Sequence, residues 1–191
     1  MDWLIVALGN PGREHRGTRH NIGFVVADRL CLQWGLHERK KRFGGFLAEG
    51  RVCRDQHLLP AQLARPRVAV LWPQTYMNEV GRSASPARGA YRLDLDRVLA
   101  IHDDIDLPFG DVRTRLGGGL AGHNGLKSLS AQLGGPGFWR VRIGVGRPAS
   151  SDPQVVSAYV LGRFTEPPEE VDQLVRKACT AVEELVLAEV G

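Results

Sequence analysis

Three short apolar runs constrain the fold of this chain more than any other feature: residues 3–8 (WLIVAL), 67–72 (RVAVLW) and 98–101 (VLAI). Each run is continuous, too short for a buried helix, and followed by glycine, proline or acidic residues, so each predicts a strand buried on both faces. Apolar residues at helical spacing follow at 22–34 and again over Val171, Leu174, Val175, Ala178, Val182 and Leu185. Strands that alternate with helices favour an α/β fold in one domain over 1–191, a twisted sheet with helices on both faces.

Two further segments predict strands with one solvated face. Residues 112–116 (VRTRL) and 140–146 (RVRIGVG) alternate polar and apolar positions, which indicates that the sheet is mixed rather than purely parallel. Between them, Leu126, Leu129 and Leu133 fall on one side of a predicted short helix.

The remaining segments carry weaker signals. A helix is predicted to start near Asn78, although Pro86 and Gly89 should break or weaken it. The basic run at 38–43 (ERKKRF) is typical of a solvated face, with nucleic-acid contact as the second interpretation. Three segments are predicted only coarsely: a short strand over 44–52, a loop over 54–66 and a last edge segment over 157–164.

Composition limits the class of protein. With 25 basic and 21 acidic residues in 191, the net charge of +4 permits a nucleic-acid partner without requiring one. Cys31, Cys53 and Cys179 are odd in number and far apart, so we expect neither a disulfide framework nor a zinc–thiolate site, and a reducing compartment fits. No apolar run reaches the length of a membrane span, and residues 1–6 lack the features of a signal or transit peptide.

Polar side chains collect in four loops, three of which follow the buried strands. The four groups are Asn10 with His20 and Asn21; Tyr76, Met77 and Asn78; His102, Asp103, Asp104 and Asp106; and His123 with Asn124. Ligands of open α/β sheets bind outside the carboxyl ends of the strands. We therefore expect the first three groups to share one rim and the fourth to lean over it.

Each of these residues also has a purely structural interpretation. Asn10 tolerates a turn conformation, and Asn78 and Asn124 precede predicted helices that they could cap. Outside a site, His102 and His123 would be ordinary structural histidines. The occurrence of four such loops in one chain is what favours a functional site.

Other kinds of site match less well. The turn after the first strand (GNPGREHRG) does not fit the dinucleotide fingerprint, and the chain has no Walker A motif, although the glycine-rich stretch 117–125 could hold a phosphate at a helix N-terminus. Asp103, Asp104 and Asp106 could bind a hard cation, but the EF-hand spacing fails. No G-x-S-x-G motif marks a serine nucleophile.

General base catalysis remains. A histidine deprotonates water near neutral pH, and a carboxylate on its other ring nitrogen fixes the tautomer and stabilises the imidazolium. Asparagine amides can donate hydrogen bonds to a developing oxyanion. A set of His, Asp and Asn without a nucleophile suits hydrolysis of an activated bond such as an ester.

Five motifs in order resemble bacterial-type peptidyl-tRNA hydrolase: LIVALGNPGREHRGTRHNIGF, PQTYMN, HDDIDLP, RLGGGLAGHNGLKS and RVRIGVGRP. The resemblance extends from about residue 3 to the C-terminal helix. It implies a monomeric, cytoplasmic α/β enzyme without cofactor or metal. Such an enzyme cleaves the ester between a peptide and the 3′-terminal ribose of tRNA, which recycles tRNA from prematurely released peptidyl-tRNA.

The resemblance also implies roles for individual residues. His20 would be the general base and Asp103 the carboxylate that orients it. Substrate would contact Asn10, Tyr76, Met77, Asn78, His123 and Asn124. The tRNA acceptor arm would contact Arg113, Arg115 and Arg142, which raise affinity without reading sequence.

Two positions near these motifs depart from the family pattern. His15 stands where tyrosine is usual, and Leu120 stands where many members have histidine or glycine. Neither change removes a catalytic group. A non-catalytic RNA-binding protein on the same fold stays open as the alternative, and the intact His20 and Asp103 favour the hydrolase.

Overall fold

A seven-stranded mixed sheet forms the centre of the computed structural model, which describes residues 1–53 and 65–188. Within those ranges the strands are β1 (Trp3–Ala7), β2 (Lys40–Arg42), β3 (Gly45–Arg51), β4 (Arg67–Pro73), β5 (Val98–Asp104), β6 (Val112–Leu116) and β7 (Trp139–Gly144). The helices there are α1 (Ile22–Gln33), α2 (Gly81–Tyr91), α3 (Asn124–Leu133), α4 (Pro153–Val160) and α5 (Pro168–Ala188). Short 3₁₀ turns occupy Arg13–His15, Arg19–Asn21, Met77–Glu79 and Leu95–Arg97.

The strand order is β2-β3-β4-β1-β5-β7-β6. The four central strands β4, β1, β5 and β7 are parallel, whereas β2, β3 and β6 pair antiparallel with their neighbours. The predicted mixed sheet with helices on both faces is confirmed. Because the central strands are parallel, the loops that follow β1, β4 and β5 all begin at one edge of the sheet.

The central strands are continuous apolar runs because helices cover both of their faces. In β1, Ile5 and Ala7 pack towards α1 and α5, whereas Leu4 and Val6 pack towards α2 and α3. All four side chains are fully buried. Burial of one Leu or Ile contributes about 1.5–3 kcal/mol, so this strand fixes the first loop firmly at the sheet edge.

Helix α2 differs from the prediction in both its start and its continuity. A 3₁₀ turn over Met77–Glu79 comes first, and α2 then runs from Gly81 through Pro86 and Gly89 to Tyr91. Close packing on α3 outweighs the two unfavourable residues: a Cβ at Gly81 would lie 2.3 Å from the Ser128 carbonyl oxygen.

The predicted edge segment over 157–164 is wrong, because residues 153–160 form helix α4. Asp152 caps this helix, its Oδ1 accepting from Gln154 N at 2.7 Å, and Pro153 occupies the first turn. An isolated bridge between Thr18 and Arg163 is the only β-pairing that the described part of this segment makes.

The predicted burial of the two alternating strands is also wrong. As the edge strand, β6 is exposed or half-buried along its whole length. Its neighbour β7 is largely buried, and Arg140 in it is only 2% exposed.

The strand over 44–52 is confirmed as β3, and β2 within the basic run is fully exposed, as a solvated face requires. The loop predicted over 54–66 lies largely outside the described residues. Cys31, Cys53 and Cys179 are free thiols. Among the described helices, none combines the length and apolar character needed to cross a bilayer.

Candidate active site

The polar loops meet in one cleft of about 810 Å³ at the carboxyl edge of the sheet. The predicted rim of loops is therefore confirmed as a structural feature. The cleft is lined by all eight residues predicted for catalysis or substrate binding: Asn10, His20, Tyr76, Met77, Asn78, Asp103, His123 and Asn124. The loop after β1, the 3₁₀ turn after β4, the end of β5 and the N-terminus of α3 supply them, and α4 closes one side.

His20 and Asp103 form a buried pair in this cleft. His20 lies on the 3₁₀ turn before α1, and its Nδ1 lies 2.9 and 3.0 Å from the two carboxylate oxygens of Asp103 at the end of β5. An ionised carboxylate only accepts hydrogen bonds, so Nδ1 carries the proton and Nε2 keeps its lone pair. That tautomer is the one a general base needs.

The two charges influence each other's pKa. Burial lowers the pKa of His20, but the charge of Asp103 and its hydrogen bond outweigh burial and leave the pKa above its ordinary value of 6.5. Burial works against ionisation of Asp103, yet His20 and His123 hold its pKa well below the usual range for a carboxyl group. Asp103 is therefore ionised at neutral pH.

His123 is held by hydrogen bonds at both ring nitrogens. Its Nδ1 accepts from the backbone N–H of Gly125 at 3.1 Å and of Leu126 at 3.4 Å, so His123 is the N-cap of α3. The proton therefore sits on Nε2, which donates to Oδ1 of Asp103 at 3.0 Å. The structural interpretation of Asn124 as the cap is wrong, and a cap histidine with no free lone pair cannot serve as the base.

His102 is buried against His123 and is neutral. Its Nδ1 donates to the backbone carbonyl of Asp103 at 2.7 Å, and the two imidazole rings meet edge to face at 5.0 Å. Burial, and then the neighbouring His123, lower the pKa of His102 to about 3. This residue supports the end of β5.

Asn10 links the first two loops. Its Oδ1 accepts from the backbone N–H of Met77 at 2.7 Å, and its backbone N–H and carbonyl bond the side chain of Asn21 at 2.9 Å each. Its amide nitrogen is thus the group that Asn10 can offer a ligand. Asn10 therefore does more than tolerate a turn conformation, and Asn21, whose role the sequence left open, bonds both of its backbone groups.

The side wall around Met77 depends on one glycine. Met77 is buried, and a Cβ at Gly125 would lie 2.6 Å from its sulfur atom.

Asn78, beside Met77, is exposed to the cleft, and neither the 3₁₀ turn Met77–Glu79 nor α2 shows a side-chain cap. The N-cap interpretation is therefore wrong for Asn78 too.

The three aspartates that the sequence offers as alternative ligands for a cation have different partners. Asp104 accepts from Arg142 Nε at 2.8 Å and from the backbone N–H of Asp106 at 2.8 Å. Asp106 lies 3.6 Å from Arg147. His20, Asp103 and His123 do place ligand atoms within 4.8 Å of one another, but the N–H groups of both histidines already donate to Asp103.

The three arginines predicted to bind tRNA lie beside the cleft rather than among its lining residues. The strand register sets Arg113 on β6 opposite Arg142 on β7, and Arg115 opposite Arg140. Arg113 is exposed and bonded to Asp111 at 3.2 Å, whereas Arg142 is partly buried against Asp104. Arg113, Arg115 and Arg142 form one basic strip along this end of the sheet, whereas Arg140 is buried.

Arg140 is a residue that sequence reasoning missed. Its guanidinium donates to the carbonyls of Gly119 at 2.6 Å, Gly118 at 2.9 Å and Pro136 at 3.4 Å, which holds the glycine-rich loop in place. Arg140 and Arg142 occupy equivalent polar positions in the alternating segment 140–146. Only their different burial shows that Arg140 supports the loop whereas Arg142 does not.

The two departures from the family pattern sit outside the described cleft lining. His15 is half-buried, and its carbonyl accepts from Thr18 Oγ1 at 2.8 Å. Leu120 packs beside the core between the sheet and α2 and α3.

Comparison with known proteins gives one consistent family. The peptidyl-tRNA hydrolase family model matches residues 4–190. A peptidyl-tRNA hydrolase of Geobacillus kaustophilus is 43% identical over 186 residues, which cover 97% of this chain and 93% of the relative. One of Geobacter sulfurreducens is 47% identical over 163 residues, 85% of this chain and 77% of the relative. The crystal structure of the Acinetobacter baumannii peptidyl-tRNA hydrolase superposes with a TM-score of 0.82 at 35% identity, over 98% of this chain and 90% of that one.

Proposed function

This chain belongs to the peptidyl-tRNA hydrolase family, and we propose that it hydrolyses the ester between a peptide and the 3′-terminal ribose of tRNA with His20 as the general base. The observation that carries the assignment of His20 is its bond to Asp103, which places the proton on Nδ1 and the lone pair on Nε2 within the cleft. The reaction frees tRNA from prematurely released peptidyl-tRNA.

The proposed reaction has two proton transfers. Nε2 of His20 takes a proton from water while the water oxygen bonds the ester carbonyl carbon, and Asp103 stabilises the imidazolium. The tetrahedral intermediate then collapses, the bond from carbon to the ribose 3′ oxygen breaks, and His20 returns the proton to that oxygen. The products are a peptide carboxylic acid and tRNA.

Amide groups would hold the substrate around this base. Asn10 offers its amide nitrogen, because its oxygen is bonded to Met77. Asn78 and Asn124 line the same cleft with exposed side chains. We assign the three amides to the peptide and to the developing oxyanion, with Tyr76, Met77 and His123 as the adjoining wall.

The tRNA would lie across the basic strip beside the cleft. Arg113 and Arg115 are exposed on edge strand β6, and Arg142 keeps both terminal nitrogens available because Nε is the atom bonded to Asp104. Phosphates of the acceptor arm are the expected partners.

We further propose that the enzyme acts as a monomer in the cytoplasm. We also propose that it needs no metal, because water activation is assigned to a histidine.

The experiment that tests this function is release of the acyl group from N-acetyl-aminoacyl-tRNA, with and without EDTA, beside unblocked aminoacyl-tRNA. Rapid, EDTA-resistant cleavage of the blocked substrate alone is expected. Binding of tRNA without cleavage would favour the alternative of a non-catalytic RNA-binding protein. Loss of activity in EDTA would favour a metal site formed by the aspartates and histidines.

A further inference from the structure

A buried cation lies directly beside the base without taking part in the proposed reaction. Arg19 is 5% exposed and shares the 3₁₀ turn Arg19–Asn21 with His20. Burial of an arginine is costly unless its donors are satisfied, so its partners show what it stabilises.

Among the described residues, the partners of the Arg19 guanidinium all belong to one segment, residues 159–166. Nη1 donates to the carbonyls of Tyr159 at 3.2 Å and Arg163 at 2.7 Å, and Nη2 donates to Thr165 Oγ1 at 3.3 Å. The guanidinium also stacks 4.0 Å above the Tyr159 ring and lies 3.7 Å from Glu166. The backbone N–H of Arg19 donates to the Gly162 carbonyl at 3.0 Å.

That segment is the C-terminal end of α4 and the chain that follows it. Helix α4 has no fully buried residue, so it contributes little apolar burial of its own. Its inner residues Val156 and Val160, together with Leu161, form the apolar wall of the cleft that contains His20. Besides the Arg19 contacts, the Tyr159 hydroxyl donates to the Val145 carbonyl at 2.6 Å.

We propose that Arg19 is a positioning residue that sets the α4 wall at a fixed distance from His20. The base and the anchor share one three-residue turn, so the wall is held against the same piece of backbone that carries the catalytic imidazole. A planar guanidinium can serve several acceptors from one plane, which the ammonium of lysine cannot do.

The inference rests on the proposed function, because it assumes that the peptide part of the substrate packs between His20 and α4. Loosening the wall should then weaken binding of the acylated substrate and leave the affinity for deacylated tRNA, whose contacts lie on the basic strip, unchanged. The hydrogen bond between His20 and Asp103 does not involve Arg19, so the pH dependence of kcat should stay the same.

The test compares Arg19→Lys with Arg16→Lys, a matched change at an exposed position in the same segment, and with Thr165→Val, which removes one Arg19 partner and keeps the arginine. Hydrogen exchange of the α4 amides and of the β1 and β5 amides is measured in each. KM and kcat for N-acetyl-aminoacyl-tRNA and the Kd of deacylated tRNA are measured alongside.

For Arg19→Lys we expect α4 amide exchange to accelerate roughly tenfold or more and KM to rise roughly tenfold. Exchange in β1 and β5, the Kd of tRNA and the midpoint of the pH profile should match Arg16→Lys. Thr165→Val should also accelerate α4 exchange and raise KM, but by a smaller factor than Arg19→Lys. If Arg19→Lys does not fold, Thr165→Val alone tests whether Arg19 positions α4.

Two results would overturn the inference: unchanged α4 exchange and KM, or an equal acceleration in α4 and in the central strands, which would make Arg19 a general stabilising residue. Failure of the wild-type protein to hydrolyse the substrate would count against the proposed function instead. The exchange measurement would still decide whether Arg19 anchors α4.

Discussion

Nδ1 of His20 lies within 3.0 Å of both carboxylate oxygens of Asp103, in a cleft where each residue is buried. The residues are 83 positions apart in the chain and meet because β1 and β5 are adjacent parallel strands. His123 donates to the same carboxylate, so one aspartate accepts from two histidines.

The first prediction concerns the carboxylate. Asp103→Asn should lower kcat on the order of 10⁴-fold, because an amide can accept at one position only and lets His20 adopt the wrong tautomer. Steady-state hydrolysis of N-acetyl-aminoacyl-tRNA measures the effect. Asp106→Asn, an exposed change three residues away, is the matched control, and an equal loss in both would remove the special role of Asp103.

The pH dependence follows from the shifted pKa of His20. Only neutral His20 accepts a proton, so kcat/KM should rise with pH and its acidic limb should have its midpoint above 6.5. Without the Asp103 charge, burial alone acts on the imidazole and should move the pKa of His20 below 6.5 in Asp103→Asn. NMR titration of the His20 ring measures this pKa in the wild type and in Asp103→Asn. An equal midpoint in the two proteins would contradict the coupling between the Asp103 charge and His20.

The two bonds of His123 can be separated by a pair of variants. His123→Ala loses both the α3 cap and the bond to Asp103, and should lower the free energy of unfolding by about 1 kcal/mol. His123→Asn keeps a side chain suited to capping, so it should retain most of that stability while losing the Asp103 contact. Denaturant unfolding of both variants checks this, and equal stability losses would argue against the cap.

The basic strip is tested by salt dependence. Arg115→Gln should raise KM, reduce the slope of log KM against log salt by about 0.7–0.9, and spare kcat. Arg51→Gln removes a charge from an exposed position on β3, beyond four intervening strands, and should change neither quantity. A large fall in kcat for Arg115→Gln would place that arginine in the chemistry instead.

Gly125 is predicted to be intolerant of a side chain. Gly125→Ala would bring a methyl group within 2.6 Å of the Met77 sulfur and 2.9 Å of a Leu8 methyl, and should cost about 1–3 kcal/mol of stability. Gly119→Ala meets no atom within 4 Å and has an ordinary φ, so its thermal unfolding should match the wild type. Similar midpoints for the two variants would contradict the close approach.

The sequence reveals the central strands and the site loops because their signals are local. A continuous apolar run ending in Asn10 or His102 needs no tertiary information to predict a buried strand with a functional rim. The grouping of six of the eight cleft residues then follows from parallel strands sharing one edge, whereas His123 and Asn124 come from the loop after the antiparallel strand β6. The resemblance implied the pairing of Asp103 with His20, but the second donor to Asp103, His123, could not be predicted, because it depends on how the loops fold over each other.

The sequence could not predict which arginines are buried or which groups they bond. Arg140 and Arg142 alternate on one strand and look alike, yet one supports the glycine-rich loop and the other faces Asp104. Arg19 gives no signal at all, since its partners lie about 140 residues away. Helix α4 was missed although Asp152 and Pro153 mark its start, because the apolar run after them is equally suited to a strand.

The most direct test of the central claim is kcat of His20→Gln against the Kd of deacylated tRNA for the same protein. We predict that kcat falls by on the order of 10²–10⁴-fold while the Kd of tRNA stays within a factor of about two. Activity close to the wild type would contradict the assignment of His20 as the base, and a parallel loss of tRNA affinity would mean that His20 holds the substrate instead of activating water.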